Sequence, residues 1–147
     1  MSKLFTGLLG GLAGALTMTL THEYLRKRYG WAPRLDKLGE EATAKSIEAV
    51  GGDAPEGDRL YMTSMIADVI SNTIYYSMAA STPEKALISG TGLGLIAGVG
   101  AVYLPEKMNL DPAHTASTPV REYITVALYT LGGLIAGAII QRASRSR

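Results

Sequence analysis

Cysteine is absent from the 147 residues, and phenylalanine and tryptophan each occur once. The missing thiols exclude disulfides, thiolate metal sites and cysteine nucleophiles together, and leave the redox compartment open. There are two histidines, His22 and His114, and they make no triad. His22-Glu23 lacks the second histidine of an HExxH motif, because position 26 is Arg. No serine lies in GxSxG or SxxK, and there is no phosphate loop, no haem-attachment CxxCH and no retinal-type lysine inside an apolar run. The net charge is +1, with no basic face interleaved with aromatics, which speaks against a nucleic-acid partner.

What the chain does have is apolar length. A mean hydropathy of +0.14 alone would permit a soluble domain, but the charges are gathered into a few segments. Between them lie four nearly uncharged stretches of about 18 to 21 residues, near the roughly 20 that a membrane-crossing helix needs. These predict an all-α, integral membrane four-helix bundle forming a single domain over 1–147. The spans fall at about 4–24, 60–80, 86–104 and 122–140, with polar loops at 25–59 and 104–121. Within the first loop, LDKLGEEATAKSIEAV predicts a short amphipathic helix from Leu35, with Leu38 and Ala42 on its apolar side. The five-residue link STPEK predicts that the second and third spans are antiparallel neighbours.

Glycine recurs at four-residue spacing in three of the spans: Gly7 with Gly11, Gly10 with Gly14, Gly90 with Gly94 and Gly98, and Gly133 with Gly137. Such GxxxG ridges remove side-chain bulk and let helix backbones approach closely, within one chain or between copies of it. Gly90, Gly92 and Gly94 imitate a dinucleotide fingerprint only on paper, because no strand precedes them.

The second span carries the chemistry. Asp68 and Asn72 lie near its middle, and at 100° per residue they share a stripe with Ser64 and Ser71. A carboxyl at that depth costs several kcal/mol unless something answers it, so the stripe should face other helices. Both termini fall on one side, side A, and both long loops on the other, side B. Five Lys/Arg residues on side A against nine on side B predict that the loops are cytoplasmic. On side B the sequence gathers His22, Glu23, Glu106, His114, Arg121 and Glu122. Asp68 is expected on the order of 12 Å below that surface, in a cavity lined also by Thr17, Thr21 and Asn72. His22, Asp68 and His114 are the candidate metal ligands, with no cofactor specified. The tyrosines Tyr24, Tyr61, Tyr103 and Tyr123 form a boundary belt.

The run GLLGGLAGALTMTLTHEYLRKRYG, followed by a short amphipathic helix and three more apolar spans, resembles small uncharacterised four-span bacterial inner-membrane proteins. The resemblance implies an inner-membrane location and brings neither an activity nor site residues. The function expected from the sequence is an accessory or scaffold component of a membrane assembly, self-associating or joined to a membrane-protein partner among membrane lipids. A proton- or cation-linked transporter or channel using Asp68 is the alternative, and a membrane-bound metal- or lipid-acting enzyme is the second alternative.

Overall fold

The computed structural model describes residues 1–146; Arg147, one of the five side-A basic residues, lies outside them. Six helices follow one another: α1 (Lys3–Arg28), α2 (Leu35–Ala49), α3 (Gly57–Ser77), α4 (Ala86–Lys107), the single turn α5 (Ala113–Ala116) and α6 (Pro119–Arg145). Local chemistry sets their ends. Ser2 caps α1 by accepting from Phe5 N, and Arg26, Lys27 and Arg28 occupy its last turn, where cations suit the carbonyl end of the helix dipole. Thr118 caps α6 by accepting from Arg121 N, with Pro119 just inside, and Gly51 ends α2 at a φ of 83° that a side chain would disfavour. The predicted spans therefore extend: α1 runs past Tyr24 to Arg28, and α4 carries Pro105 within its last turns.

Among the described residues, three helices are long and apolar enough to cross a membrane: α1, α4 with the turn before it (Pro83–Lys107), and α6. The expected fourth, α3, has the length but not the composition, because Asp68, Asn72 and a succession of hydroxyl residues lower its hydropathy.

The helices are joined by backbone contact at glycine. A Cβ on Gly94 would meet the Tyr129 carbonyl oxygen and lie 2.8 Å from Thr130 Cα, and one on Gly98 would lie 2.7 Å from Val126 Cα. Gly90 and Gly133 each face the other's carbonyl. This ridge of α4 is seated on α6 inside one chain. On α1, Gly10 and Gly14 face Ile140 and Gly132 of α6, while Gly7 and Gly11 face Ser77 and Thr73 of α3. Tyr76, fully buried, reaches from α3 over Gly132 and donates to the Tyr129 carbonyl at 2.7 Å.

In lateral order the long helices thus run α3, α1, α6, α4. The expectation that α3 and α4 would be packed neighbours fails. Two 3-10 turns, Met78–Ser81 and Pro83–Lys85, join them, and Tyr75 donates across to the Leu93 carbonyl at 2.7 Å, but beyond that bond they splay apart. At the other end α2 packs on α3 and α5, and the two long loops dock on each other through Arg34 N to His114 O at 2.8 Å.

Gly94→Leu should therefore lower stability by about 1–3 kcal/mol or more, as overpacking does, because the obstacle is backbone. Gly92→Leu, on the same helix with no atom within 4 Å of its added Cβ, should melt like the parent. Thermal unfolding in detergent reads both, and equal melting of the two variants would contradict the α4–α6 seam.

Candidate functional site

On side B the end of α1, the start of α2 and the start of α3 converge on a charged network. Glu23 accepts from Arg26 Nε at 2.8 Å and Nη2 at 2.7 Å, and from the Tyr61 hydroxyl at 2.8 Å. Arg26 also stacks over the Tyr61 ring at 5.5 Å. Asp36, its side chain 4% exposed, accepts two bonds from Arg34, at 3.0 and 2.7 Å, and has Arg26 Nε at 3.9 Å. Burial by itself would raise the Asp36 carboxyl, but the Arg34 hydrogen bonds and charge, with Arg26 behind them, hold it below the ordinary carboxylate range. His22, buried, sets Nε2 3.0 Å from the Pro33 carbonyl oxygen and 3.3 Å from Leu35 N, so its tautomer decides whether it donates to the first or accepts from the second.

Behind the network lies a small cavity of about 30 Å³, lined from α1 by Thr19, His22 and Glu23, from α2 by Asp36 and Gly39, and from α3 by Tyr61, Ser64 and Asp68. Asp68 forms part of a second wall as well. Where α3 and α4 diverge they leave a groove of about 620 Å³, its α3 side formed by Asp68, Ser71, Asn72 and Tyr75. The α4 side is apolar, from Ile96 to Met108, Tyr129 of α6 lines the floor, and Leu38 and Ala42 of α2 lie at the side-B end. Asp68 Oδ1 accepts from Asn72 Nδ2 at 3.0 Å, one turn along the same helix.

The residues singled out from the sequence separate into groups. His22, Glu23, Ser64 and Asp68 share the cavity; Asp68, Asn72 and Ser71 share the groove. Thr17 and Thr21 line neither, each donating to the carbonyl four residues back, Ala13 and Thr17. Ser64 and Ser71 likewise bond carbonyls of α3, and among the described residues the side-chain hydrogen bond to Asp68 comes from Asn72 of the same helix. His114 lies apart, with Nε2 3.3 Å from Glu41, a carboxylate that also accepts from Asp111 N and pairs with Lys45. Lys45 further donates to the Asn109 carbonyl. Arg121 donates to the Ala113 and Gly30 carbonyls; Glu106 is exposed and Glu122 half-buried, and neither joins the network. His22, Asp68 and His114 thus have separate partners, and among the described residues no three His, Asp or Glu side chains converge as a metal set would.

Four members of the network, Arg26, Arg34, Asp36 and Tyr61, were not among the sequence candidates. Their only local signals were the three-residue Glu23–Arg26 spacing and the Arg34–Asp36 pair; Tyr61, expected in a boundary belt, is turned inward to Glu23. No family model, curated protein or solved structure matches the chain.

Asp36 supplies a pH test. Its folded value lies below its unfolded one, so its contribution to docking α2 is complete above about pH 4 and is lost as pH falls through the lower folded value. The single tryptophan, Trp31, stacks on Tyr29 just ahead of α2 and reports that turn. Its emission should hold steady from neutral pH to about 4 and then shift, whereas Asp36→Asn should already show the shifted emission at neutral pH. An acid transition identical in the variant would assign the docking to other carboxylates.

Proposed function

We propose that the chain is an integral membrane protein of four spans, α3 being the fourth, which takes one apolar chain of an amphiphilic membrane molecule into the α3/α4 groove beside Asp68. The groove carries this reading. Its volume, about 620 Å³, falls within the roughly 300–1,000 Å³ of small-molecule sites. From Ile96 to Met108 the α4 wall runs about 18 Å at 1.5 Å per residue, close to half of a hydrocarbon core about 30 Å thick. It therefore has the reach of one leaflet, the one on side B. The Tyr75–Leu93 bond closes its deep end, which favours a molecule of one leaflet over a partner helix running the whole depth.

The outer face of α3 supports the fourth span. Met62, Ile66, Ile70 and Ile74, with Met78 in the turn that follows, recur every fourth residue and are each 51–58% exposed, an apolar stripe turned away from the polar one. Such a helix has a low mean hydropathy and still presents hydrocarbon to lipid. The glycine ridges were open to packing within one chain or between copies, and Gly90, Gly94 and Gly98 are covered by α6, so homo-association draws no support from them. A metal-acting enzyme lacks a converging ligand set among the described residues. The bacterial inner membrane as the location rests on the sequence resemblance alone.

Two measurements test the proposal. Reporter fusions at the C-terminus and within residues 51–56 should lie on opposite sides of the membrane, with the loop cytoplasmic; the same side for both would remove α3 as a span. Ala97→Trp, which fills the groove from its α4 wall, should lose a lipid-like molecule that the parent retains through purification, as read by native mass spectrometry with helicity unchanged. Equal retention in both proteins would sink the groove reading.

A further inference from the structure

We propose that the small cavity between α1, α2 and α3 is a hydrated proton path joining Asp68 to the side-B surface, so that the carboxyl on the groove wall exchanges protons with that side alone. The inference rests on the four-span reading proposed above, but not on any particular occupant of the groove.

Three observations lead to it. The cavity has the size for water: about 30 Å³ takes roughly two waters at about 10–15 Å³ each, and polar groups from three helices share its lining with Met18, Leu35 and Met65. One of them, the buried Thr19 Oγ1, has no hydrogen-bond partner among the described residues, an uncommon state that bridging water would relieve. The chambers also adjoin in sequence. An outer cleft of about 470 Å³, lined by Arg26, Arg34, Lys37, Glu40 and Asp58, has Asp36 and Tyr61 in its wall. Those two residues also line the cavity, and Asp68 lines both the cavity and the groove.

The groups facing this path can be named helix by helix. From α1 they are His22 and Glu23, from α2 Asp36, from α3 Tyr61, Tyr76 within reach of the Asp68 charge and, on the groove side, Tyr75; from α6 Tyr129 faces the groove, while the α4 wall contributes no titratable side chain. Glu23 and Asp36 are held by Arg26 and Arg34, and His22 Nε2 lies against the Pro33 and Leu35 backbone, which leaves the cavity water to carry the proton to Asp68. In each transfer a proton from side-B water passes to the cavity water, which gives one of its own to Asp68 Oδ2, the oxygen that Asn72 does not hold. The water ends as it began, and Asp68 gains one proton and loses its charge.

A lipophilic carbodiimide tests this, because it reacts with a protonated carboxyl reached from the membrane: the acid proton moves to a carbodiimide nitrogen and the carboxylate adds to the central carbon. The full-length protein would be captured in vesicles with side B outward, through an affinity tag inserted within residues 51–56, and the two sides buffered independently. Labelling measured by mass spectrometry should occur at Asp68 and vanish in Asp68→Asn. Its rate should fall about tenfold per pH unit once side B is made alkaline enough to ionise the carboxyl, and should ignore side A. Gly39→Leu, whose added Cβ meets only Ser64 Cβ at 4.0 Å, stands where the cavity and the side-B end of the groove share a wall, and should abolish the side-B response while Asp68 is still labelled, which separates a blocked cavity from a blocked groove. A rate that follows side A, one that follows neither side, or no labelling at any pH would overturn the proposal. A full side-B response in folded Gly39→Leu would overturn the cavity as the route.

Discussion

The close approach of helix backbones at glycine is the constraint on which the rest of the molecule depends. Helix α6 receives Gly90, Gly94 and Gly98 of α4 on one flank and Gly10 and Gly14 of α1 on the other, and α1 in turn carries α3 through Gly7 and Gly11. At each of these points except Gly7, where the nearest atom would be 3.0 Å away, a single methyl group would strike backbone or a packed side chain, so the axes lie closer than a side chain there would allow. Helix α3 has no glycine beyond Gly57, and the ridge of α4 is already taken by α6. The pair left to meet, α3 and α4, therefore touches near the short link and opens beyond it. The groove follows from where the glycines are, without any element dedicated to holding it open.

Much of the helical content is legible in the sequence, because apolar runs of span length have few alternative structures and are bounded by Pro, Gly and charge. The three most apolar spans fall where the runs predict, α2 starts at Leu35 as its pattern indicates, and the glycine spacing marks real approaches. Adjacency was less readable. A short link makes two helices meet at one end, and only the distribution of small side chains along both decides whether they stay together. The site was half readable for a related reason. The stripe of α3 is helical geometry, whereas the convergence of Arg26, Arg34, Asp36 and Tyr61 depends on the path of the turn at 29–34, which no local pattern specifies. Thr17 and Thr21 mislead because a hydroxyl on a helix can bond its own backbone, so its presence does not tell which way a cavity lies.

Helix α2 is held differently from the others. It buries no residue completely, so apolar area alone does not account for its position. Its attachments are polar: Arg34 N to the His114 carbonyl, Glu41 to Asp111 and His114, and Asp36 beneath Arg34 and Arg26. Two acids and two arginines make the inner network neutral with His22 uncharged, which limits the cost of burying it. The helix lies over both the cavity and the side-B end of the groove, so the element covering both chambers is also the one attached by interactions that respond to pH and salt.

Asp68 is the residue for which stability alone gives a poor account. At the centre of a spanning helix an acid costs about 2.5 to 3.5 kcal/mol on insertion scales, and its one side-chain hydrogen bond, from Asn72 in the same helix, joins no two elements. An amide at position 68 would accept that bond equally well, at a lower desolvation cost. What a carboxyl adds over an amide is a charge that can be lost and regained. Its placement makes that property consequential, since Asp68 lines both the small cavity between α1, α2 and α3 and the groove between α3 and α4. Neutral, the carboxyl suits an apolar occupant beside it; charged, it favours water or a cation in the same place. On the four-span reading, the protonation state of this one residue sets the polarity of the groove wall at mid-depth.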